Sequence, residues 1–341
     1  MSRRPLRASR FGTGGVWARI AGNGGVRNAS DLERRVVIVF VLTAEHAYTH
    51  KALLAPDIPV RVRLFTYAEL LRAKTIPRAT YVFTDMDRLS LWDLRIAAGV
   101  YRHLHSHGLR VLNDPARVTS RWGLLRRLRL AGINNFDAYR AEESVLPRRW
   151  PVFLRTEGDH LGPASDLLHS LDQLQAMIDR FVSEGRPLSS LLIVEYSAQP
   201  VRPGLYRKFG SFRLGRAEFG HFCVDEDHWI AKLGKRGITP PELYDEEHRI
   251  VRDNPHGPSV AAAFDIAGIE YGRVDFGLVD GKVQIYEINS NPDMAFGNDH
   301  PSPVRQESYR IFKAHYLDAL SAIDTPAGDS IRGPLIPETR V

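Results

Sequence analysis

The sequence has 341 residues, 43% of them hydrophobic, which is enough for a sizeable core of two or three packed layers. Its net charge of +6 suits polyanionic substrates, whereas the absence of interleaved aromatic and basic residues weighs against a nucleic-acid-binding protein. The only cysteine, Cys223, excludes an intramolecular disulfide framework, and no apolar run is long enough to span a membrane. We therefore expect a globular protein of the reducing cytoplasm with no membrane partner.

Residues 1–33 are predicted to form a disordered basic extension. Six arginines and no acidic residue occur before position 29, and the glycine-rich stretches 12–15 and 22–25 neither follow a strand nor open a helix. We do not interpret these glycines as phosphate-binding loops. An upstream start codon is an alternative explanation of the extension, and an organellar transit peptide is another.

Residues 34–116 are predicted to form an N-terminal open α/β domain. The run 35–42, which is continuously apolar after Arg35, predicts a buried parallel strand, and further strands are expected at 60–65, 79–84 and 109–112. Helical stretches at 67–73 and 91–107 alternate with these strands. The domain contains no dinucleotide-binding fingerprint.

A boundary follows at residues 113–117, where Pro115 is expected near the first turn of the next helix. The predicted elements beyond it are helices at 121–131, 166–183, 246–267 and 308–323, strands at 151–155 and 191–195, and a hairpin of 205–213 with 217–224. They suggest a central lobe over 117–198 and a C-terminal lobe over 199–323. The tail 324–341 is rich in proline and glycine and is expected to fray.

The most informative motif is a second hairpin between residues 271 and 292. Asp280 and Gly281 form its predicted turn, which brings Asp275 opposite the end of the returning strand. Glu287 and Asn289 are two residues apart and share one face of that strand. Two carboxylates and a carboxamide at one place favour Mg²⁺, which commonly also binds substrate phosphates, with Mn²⁺ as an alternative. The competing interpretation is a solvated hairpin with outward acidic residues.

The pattern Arg273-x-Asp275 followed by Glu287-x-Asn289 resembles the metal-binding core of the ATP-grasp superfamily of ATP-dependent ligases. This resemblance extends over residues 34–323 and implies an ATP-grasp fold in which two α+β lobes enclose ATP. It also implies that the three oxygen-bearing side chains hold Mg²⁺ against the phosphates. Arg273 would then be catalytic, stabilising charge on an acyl-phosphate or tetrahedral intermediate.

Two arginines depart from the family pattern. Arg121 and Arg155 stand where the resemblance places phosphate-binding lysines, and a guanidinium is bulkier than an ammonium although it binds phosphate bidentately. Residues 157–162 resemble the family's flexible lid, with glycines at 158 and 162, but are equally compatible with a surface loop.

Four further residues are carried over from the resemblance. Glu195 and the backbone near Tyr196 are expected to recognise adenine at the end of the interlobe strand. Lys208, in a Tyr-Arg-Lys strand followed by a His-Trp pair at 228–229, is the candidate to replace the missing lysines and to act in catalysis. Lys232 is the next candidate for the phosphates. A solvated edge strand is the alternative for Lys208.

The resemblance predicts an ATP- and Mg²⁺-dependent ligase that joins a carboxylate to an amine through an acyl-phosphate. The alternative, motivated by Arg121 and Arg155, is a non-catalytic or regulatory ATP-binding protein. Small molecules or peptides are the expected substrates, and the loops at 291–296 and 298–302 are expected to shape the acceptor site. The sequence leaves the identity of both substrates and the oligomeric state open.

Overall fold

A computed structural model describes residues 38–334 apart from 144, 159–161, 295, 297–298 and 326–327. The predicted basic extension, the middle of the predicted lid and the end of the tail lie outside these residues. The described chain is a mixed α/β structure with four sheets, which confirms the predicted α/β fold class. None of the helices in the described ranges is both long enough and apolar enough to cross a bilayer.

The first sheet contains four parallel strands in the order β2-β1-β4-β5. In chain order, the elements of this part are β1 (Ile38–Leu42), β2 (Val62–Thr66), α1 (Tyr67–Arg72), β3 (Thr75–Arg78), β4 (Thr80–Phe83), α2 (Leu91–Ser106) and β5 (Val111–Leu112). Strand β3 belongs to a different sheet. All residues of β1 are fully buried, because the sheet is covered on both faces. The predicted buried parallel strand is therefore confirmed.

The second sheet is antiparallel, with three strands in the order β6-β8-β7. Its elements are α3 (Arg121–Leu130), β6 (Ala138–Arg140), β7 (Val152–Thr156), α4 (Leu171–Ser183) and β8 (Leu191–Glu195). Ser120 caps α3 and Ser170 caps α4, since each hydroxyl accepts a backbone N–H from the first turn. The prediction that Pro115 lies near the first turn of the next helix is wrong, because α3 begins only at Arg121 after the Ser120 cap. Helix α4 begins five residues later than predicted, after the Ser170 cap.

The third sheet is an antiparallel sheet of five strands with the order β11-β10-β12-β13, and the short β9 pairs with β10. Its elements are β9 (Pro200–Arg202), β10 (Leu205–Leu214), β11 (Ala217–Glu226), α5 (Pro241–Asp253), α6 (Gly257–Ala267), β12 (Tyr271–Val279), β13 (Lys282–Asn289) and α7 (Pro303–Ala322). The single helix expected over 246–267 is two helices, because Asn254 adopts a left-handed conformation with φ 44° and ends α5.

One segment of the tail is ordered, contrary to the expected fraying. Strand β14 (Gly328–Arg332) pairs antiparallel with β3, and Ile331 lies opposite Ile76 with 8% of its surface exposed. Burial of this isoleucine in a core cluster with residues of the first sheet holds the strand in place. Composition rich in proline and glycine did not reveal this long-range pairing.

The cores show how the three large sheets are joined. Buried residues of the first sheet pack in common clusters with the third sheet, for example Phe40 with Tyr271. The second sheet has its own core around Val152 and Leu154 and meets the third sheet through a smaller cluster around Phe136. The side-chain amide of Asn134 also bonds both the N–H and the C=O of Ile285 in β13, at 2.8 and 2.9 Å. A cleft lies between the second and third sheets.

Candidate functional site

The hairpin of β12 and β13 has the predicted turn and end pairing, but a register shift between Asp275 and Phe276 brings both Tyr286 and Glu287 to the cleft, whereas simple alternation predicted opposite faces. Asp280 and Gly281 form its two-residue turn with φ values of 51° and 73°, and positive φ at both central residues is what the turn that matches the right-handed twist of the strands requires. Asp275 lies opposite Glu287, and Arg273 lies opposite Asn289. The prediction that Asp275 faces the end of the returning strand is confirmed.

The Asp275 carboxylate is buried between two cations. Lys208 Nζ lies 2.9 Å from its Oδ2, and Arg273 Nε lies 2.7 Å from its Oδ1. Burial alone would raise the pKa of Asp275, but the charges and hydrogen bonds of Arg273 and Lys208 hold it well below the ordinary value. The carboxylate is therefore ionised throughout the neutral range.

Glu287 is paired with Arg121 and Arg155, the two arginines that the sequence predicts near the phosphates. Arg121 Nη2 lies 2.6 Å from its Oε2 and Arg155 Nη2 lies 3.9 Å from the same oxygen. Burial would raise the pKa of Glu287, yet Arg121 and then Arg155 bring it below the ordinary value. Arg121 also donates to the backbone oxygen of Glu157, where the predicted lid begins, at 3.0 Å. With Lys208 and Arg273, the cluster contains four cations and two carboxylates, which give it a net charge of +2.

A cleft of about 1050 Å³, its open mouth included, lies beside this cluster. Seven of the ten predicted site residues line it: Arg155, Glu195, Tyr196, Lys208, Lys232, Asp275 and Glu287. Arg121 and Arg273 contact the two carboxylates from behind, and Asn289 lies beside Arg273 in the neighbouring strand.

The other end of the cleft is apolar and aromatic. The Trp229 ring lies 5.0 Å from Phe153 and 5.6 Å from Tyr196, between centroids. The Tyr286 side chain forms the floor of the cleft and passes over Gly277, where any side chain larger than hydrogen would collide with the tyrosine hydroxyl. That hydroxyl donates to the Ser197 backbone oxygen at 2.9 Å. Of these aromatic residues the sequence pointed only to Tyr196 and did not indicate Trp229, Phe153 or Tyr286, although Phe153 is two residues from Arg155 and shares its face of β7.

Glu195 has partners that the sequence did not indicate. Its carboxylate accepts hydrogen bonds from the Tyr139 hydroxyl at 2.9 Å and from backbone N–H groups of Asp137, Arg148 and Arg149 at 2.9–3.1 Å. These bonds hold the chain that enters β7. Glu195 is 2% exposed, so the backbone at the end of β8 faces the cleft while the carboxylate faces the protein.

Few side chains of the described residues are available to bind Mg²⁺. Within the described ranges no group of three or more His, Cys, Asp or Glu side chains is placed to hold a metal ion. The predicted site therefore rests on the ionised Asp275 and Glu287 with the Asn289 carboxamide. These hard oxygen donors fit Mg²⁺ provided that ligand phosphates complete the coordination.

The predicted lid and acceptor loops are only partly described. Gly162 has a φ of 97° and lines the cleft near Ile230, while 159–161 lie outside the described residues. The predicted acceptor loop 291–296 is contacted by Thr49, whose hydroxyl donates to Asn291 Oδ1 at 3.1 Å and whose backbone oxygen accepts from Met294 N at 2.8 Å. Residues 295, 297 and 298 are outside the described part.

Comparisons with known proteins place this chain beside ATP-grasp ligases of solved structure. No protein-family model matches the sequence, and no curated protein does. The chain is similar to D-alanine–D-alanine ligase from Bacillus anthracis, with 15% identity and a TM-score of 0.49 over 84% of this chain and 96% of that one. It is also similar to a RimK domain ATP-grasp protein from Sphaerobacter thermophilus, with 15% identity and a TM-score of 0.46 over 83% and 98%. The ATP-grasp ligase PsnB, solved with its minimal precursor, has 12% identity and a TM-score of 0.45 over 82% and 99%.

Proposed function

We propose that this protein is an ATP-grasp ligase that uses ATP and Mg²⁺ to join a carboxylate to an amine. The observation that carries the proposal is the cluster of four cations around Asp275 and Glu287, at the end of a cleft whose other end is aromatic. A nucleotide has the matching polarity, since its phosphates are anionic and its base is flat and apolar on both faces. The net positive charge is largest where the phosphates would lie.

The contacts support the following proposed roles. Arg121, Arg155 and Lys208 would bind phosphate oxygens, and Lys232 reaches the same cleft from the third-sheet side. Base recognition would come from the backbone at the end of β8, at Tyr196 and beyond, because the Glu195 carboxylate is engaged elsewhere.

The metal site belongs to the same cluster. Asp275, Glu287 and Asn289 would hold Mg²⁺, with Mn²⁺ as an alternative, and the bound ion would offset phosphate charge. Arg273, which is held by Asp275 at 2.7 Å, would stabilise negative charge on the reacting group.

The proposed reaction has two steps. A substrate carboxylate oxygen attacks the γ-phosphorus of ATP, which forms an acyl-phosphate and releases ADP. The nitrogen of the amine then attacks the acyl carbon, forms the C–N bond and releases phosphate. Small molecules or peptides are the proposed substrates, and the cytoplasm is the proposed compartment.

A second function is favoured by one observation. Arg121 lies 2.6 Å from the Glu287 carboxylate, so one proposed metal ligand already has a strong cationic partner. If this pair persists when nucleotide binds, the protein binds ATP without metal-dependent turnover and acts as a regulatory ATP-binding module.

Phosphate release separates the two functions. The protein is incubated with Mg²⁺-ATP and pooled amino acids and small carboxylates, and phosphate is measured against a sample without the pool. Release that requires both ATP and the pool supports the ligase. Tight ATP binding by calorimetry with no release under any pool supports the binding module, and absence of ATP binding would refute both.

A further inference from the structure

The segment 227–240 joins β11 to α5 without helix or strand, yet hydrogen bonds hold its second half. Gly234 N donates to Glu226 Oε1 at 2.9 Å, and Lys235 N donates to the backbone oxygen of Asp225 at 2.8 Å. Thr239 Oγ1 donates to Asp225 Oδ2, also at 2.9 Å. The segment therefore folds back onto the end of β11 and is centred on Asp225.

Asp225 is in turn held by a buried arginine directly opposite on β10. Arg207 Nε and Nη2 lie 2.7 and 2.8 Å from the two carboxylate oxygens, and the two side chains are 0% and 2% exposed. Arg207 Nη1 also donates to the backbone oxygen of Leu243 in the first turn of α5, at 3.0 Å. A planar guanidinium makes this two-point contact and a lysine ammonium does not. Since buried ion pairs add little net stability, the main consequence of this pair is a defined position for what it joins.

The first half of the segment faces the cleft. Trp229, Ile230, Ala231 and Lys232 are lining residues, although they belong to the third-sheet side of the cleft. The Trp229 ring reaches Phe153 of β7 and Tyr196 after β8, at 5.0 and 5.6 Å between centroids. The segment thus touches the second-sheet side across the opening.

We propose that segment 227–240 is a preformed wall that closes the nucleotide cleft across both lobes, with Trp229 contacting the base and Arg207 and Asp225 as positioning residues. The inference rests on the proposed function, because it takes the ligand of the cleft to be a nucleotide. Nucleotide bases stack on aromatic side chains, and Trp229 offers such a surface beside two other aromatic rings. Arg207 is among the residues that line the cleft, but its side chain is 0% exposed, so we infer that it acts through Asp225 and the segment.

The positioning role is tested by hydrogen exchange without nucleotide, comparing Arg207→Lys with Arg213→Lys. Arg213 lies on the same strand and also makes a two-nitrogen contact to a β11 carboxylate, that of Glu218, far from segment 227–240. We expect amide exchange within 227–240 to accelerate at least about tenfold in Arg207→Lys only, with the rest of the chain unchanged. Equal exchange in both variants, or loosening throughout the chain, would overturn the positioning role.

Thr239→Val provides a milder variant should Arg207→Lys fail to fold. It removes one hydroxyl bond to Asp225 and leaves the buried ion pair intact. We expect faster exchange at 234–240 and unchanged exchange in β10 and β11. Unchanged exchange at 234–240 would count against the anchoring role of Asp225.

The ligand contact is tested with three probes: ATP, adenosine and tripolyphosphate. Trp229→Ala should weaken ATP and adenosine by the same factor, about tenfold, and leave tripolyphosphate unchanged. Equal affinities for all three probes in the variant and the wild type would overturn the contact of Trp229. A wild type that binds neither ATP nor adenosine would refute the proposed function and this contact, whereas the exchange comparison would still decide the role of Arg207.

Discussion

Two neighbouring residues of β10 each pair with a carboxylate, one beside the cleft and one in the protein interior. Lys208 pairs with Asp275 and keeps 17% of its side chain exposed beside the cleft, whereas Arg207 pairs with Asp225 and is completely closed off. Successive strand residues point to opposite faces, so one strand serves both. The face of β10 that carries Lys208 is called the cleft side, and we propose that its charge is directed toward a ligand. The face that carries Arg207 is called the closed side, and we propose that it fixes the position of backbone.

The largest effect is expected from neutralising the cleft-side carboxylates. Asp275→Asn or Glu287→Gln should weaken Mg²⁺-ATP binding and abolish phosphate release, because each removes one of two ionised oxygen ligands. The folded structure should persist, as judged by circular dichroism. Wild-type Mg²⁺-ATP affinity in either variant would show that the metal site is elsewhere.

Removing Arg155 or Arg121 should have the next largest effect. Arg155→Ala or Arg121→Ala removes charge-assisted hydrogen bonds of about 1.5–3 kcal/mol, so ATP affinity should fall roughly ten- to a hundredfold. Adenosine should bind almost unchanged, and Arg→Lys at either position should retain part of the affinity.

Titration of both ligands decides the role of these arginines. Equal losses for ATP and adenosine would mean that they support the fold, and no loss for either ligand would place them outside the site.

A matched pair on β10 separates its two sides. Lys208→Met should weaken ATP binding about tenfold and change Tm little, because Arg273 still neutralises Asp275. Arg207→Met leaves the Asp225 carboxylate buried without its arginine and should lower the free energy of unfolding by about 3–5 kcal/mol. Urea unfolding and ATP titration of both variants test these two expectations. If both variants lost similar stability and similar ATP affinity, the two sides of β10 would not differ in role.

The smallest effect concerns pH. Asp275 has a pKa below its ordinary value of 3.8, so its ionised form stabilises the folded state above that pH, and this contribution is lost as the pH falls through the lower folded value. The Tm difference between wild type and Asp275→Asn should be constant from pH 8 to about pH 5 and shrink in stronger acid. A difference that already shrinks near pH 6 would mean that Arg273 and Lys208 do not hold the carboxylate ionised.

Local sequence patterns predicted many of the helices and strands, because these elements depend mainly on residues that are close together in the chain. Alternation and turn residues identified the hairpin around Asp280 and the pairing of Asp275 with Glu287. Helix ends were less accurate, since caps such as Ser170 and the left-handed Asn254 depend on single residues. The proposed roles of the ten site residues and the domain boundaries remain predictions.

The sequence by itself determined the α/β class, the buried strand β1 and the acidic hairpin, because hydrophobic periodicity and turn chemistry act over a few residues. Only the tertiary structure decided which cations meet which carboxylates, as with Arg121 and Glu287, which are 166 positions apart. It also turned Glu195 inward, brought Trp229 against Phe153 and ordered β14. These outcomes depend on contacts between distant segments, which packing of the whole chain sets and local pattern does not.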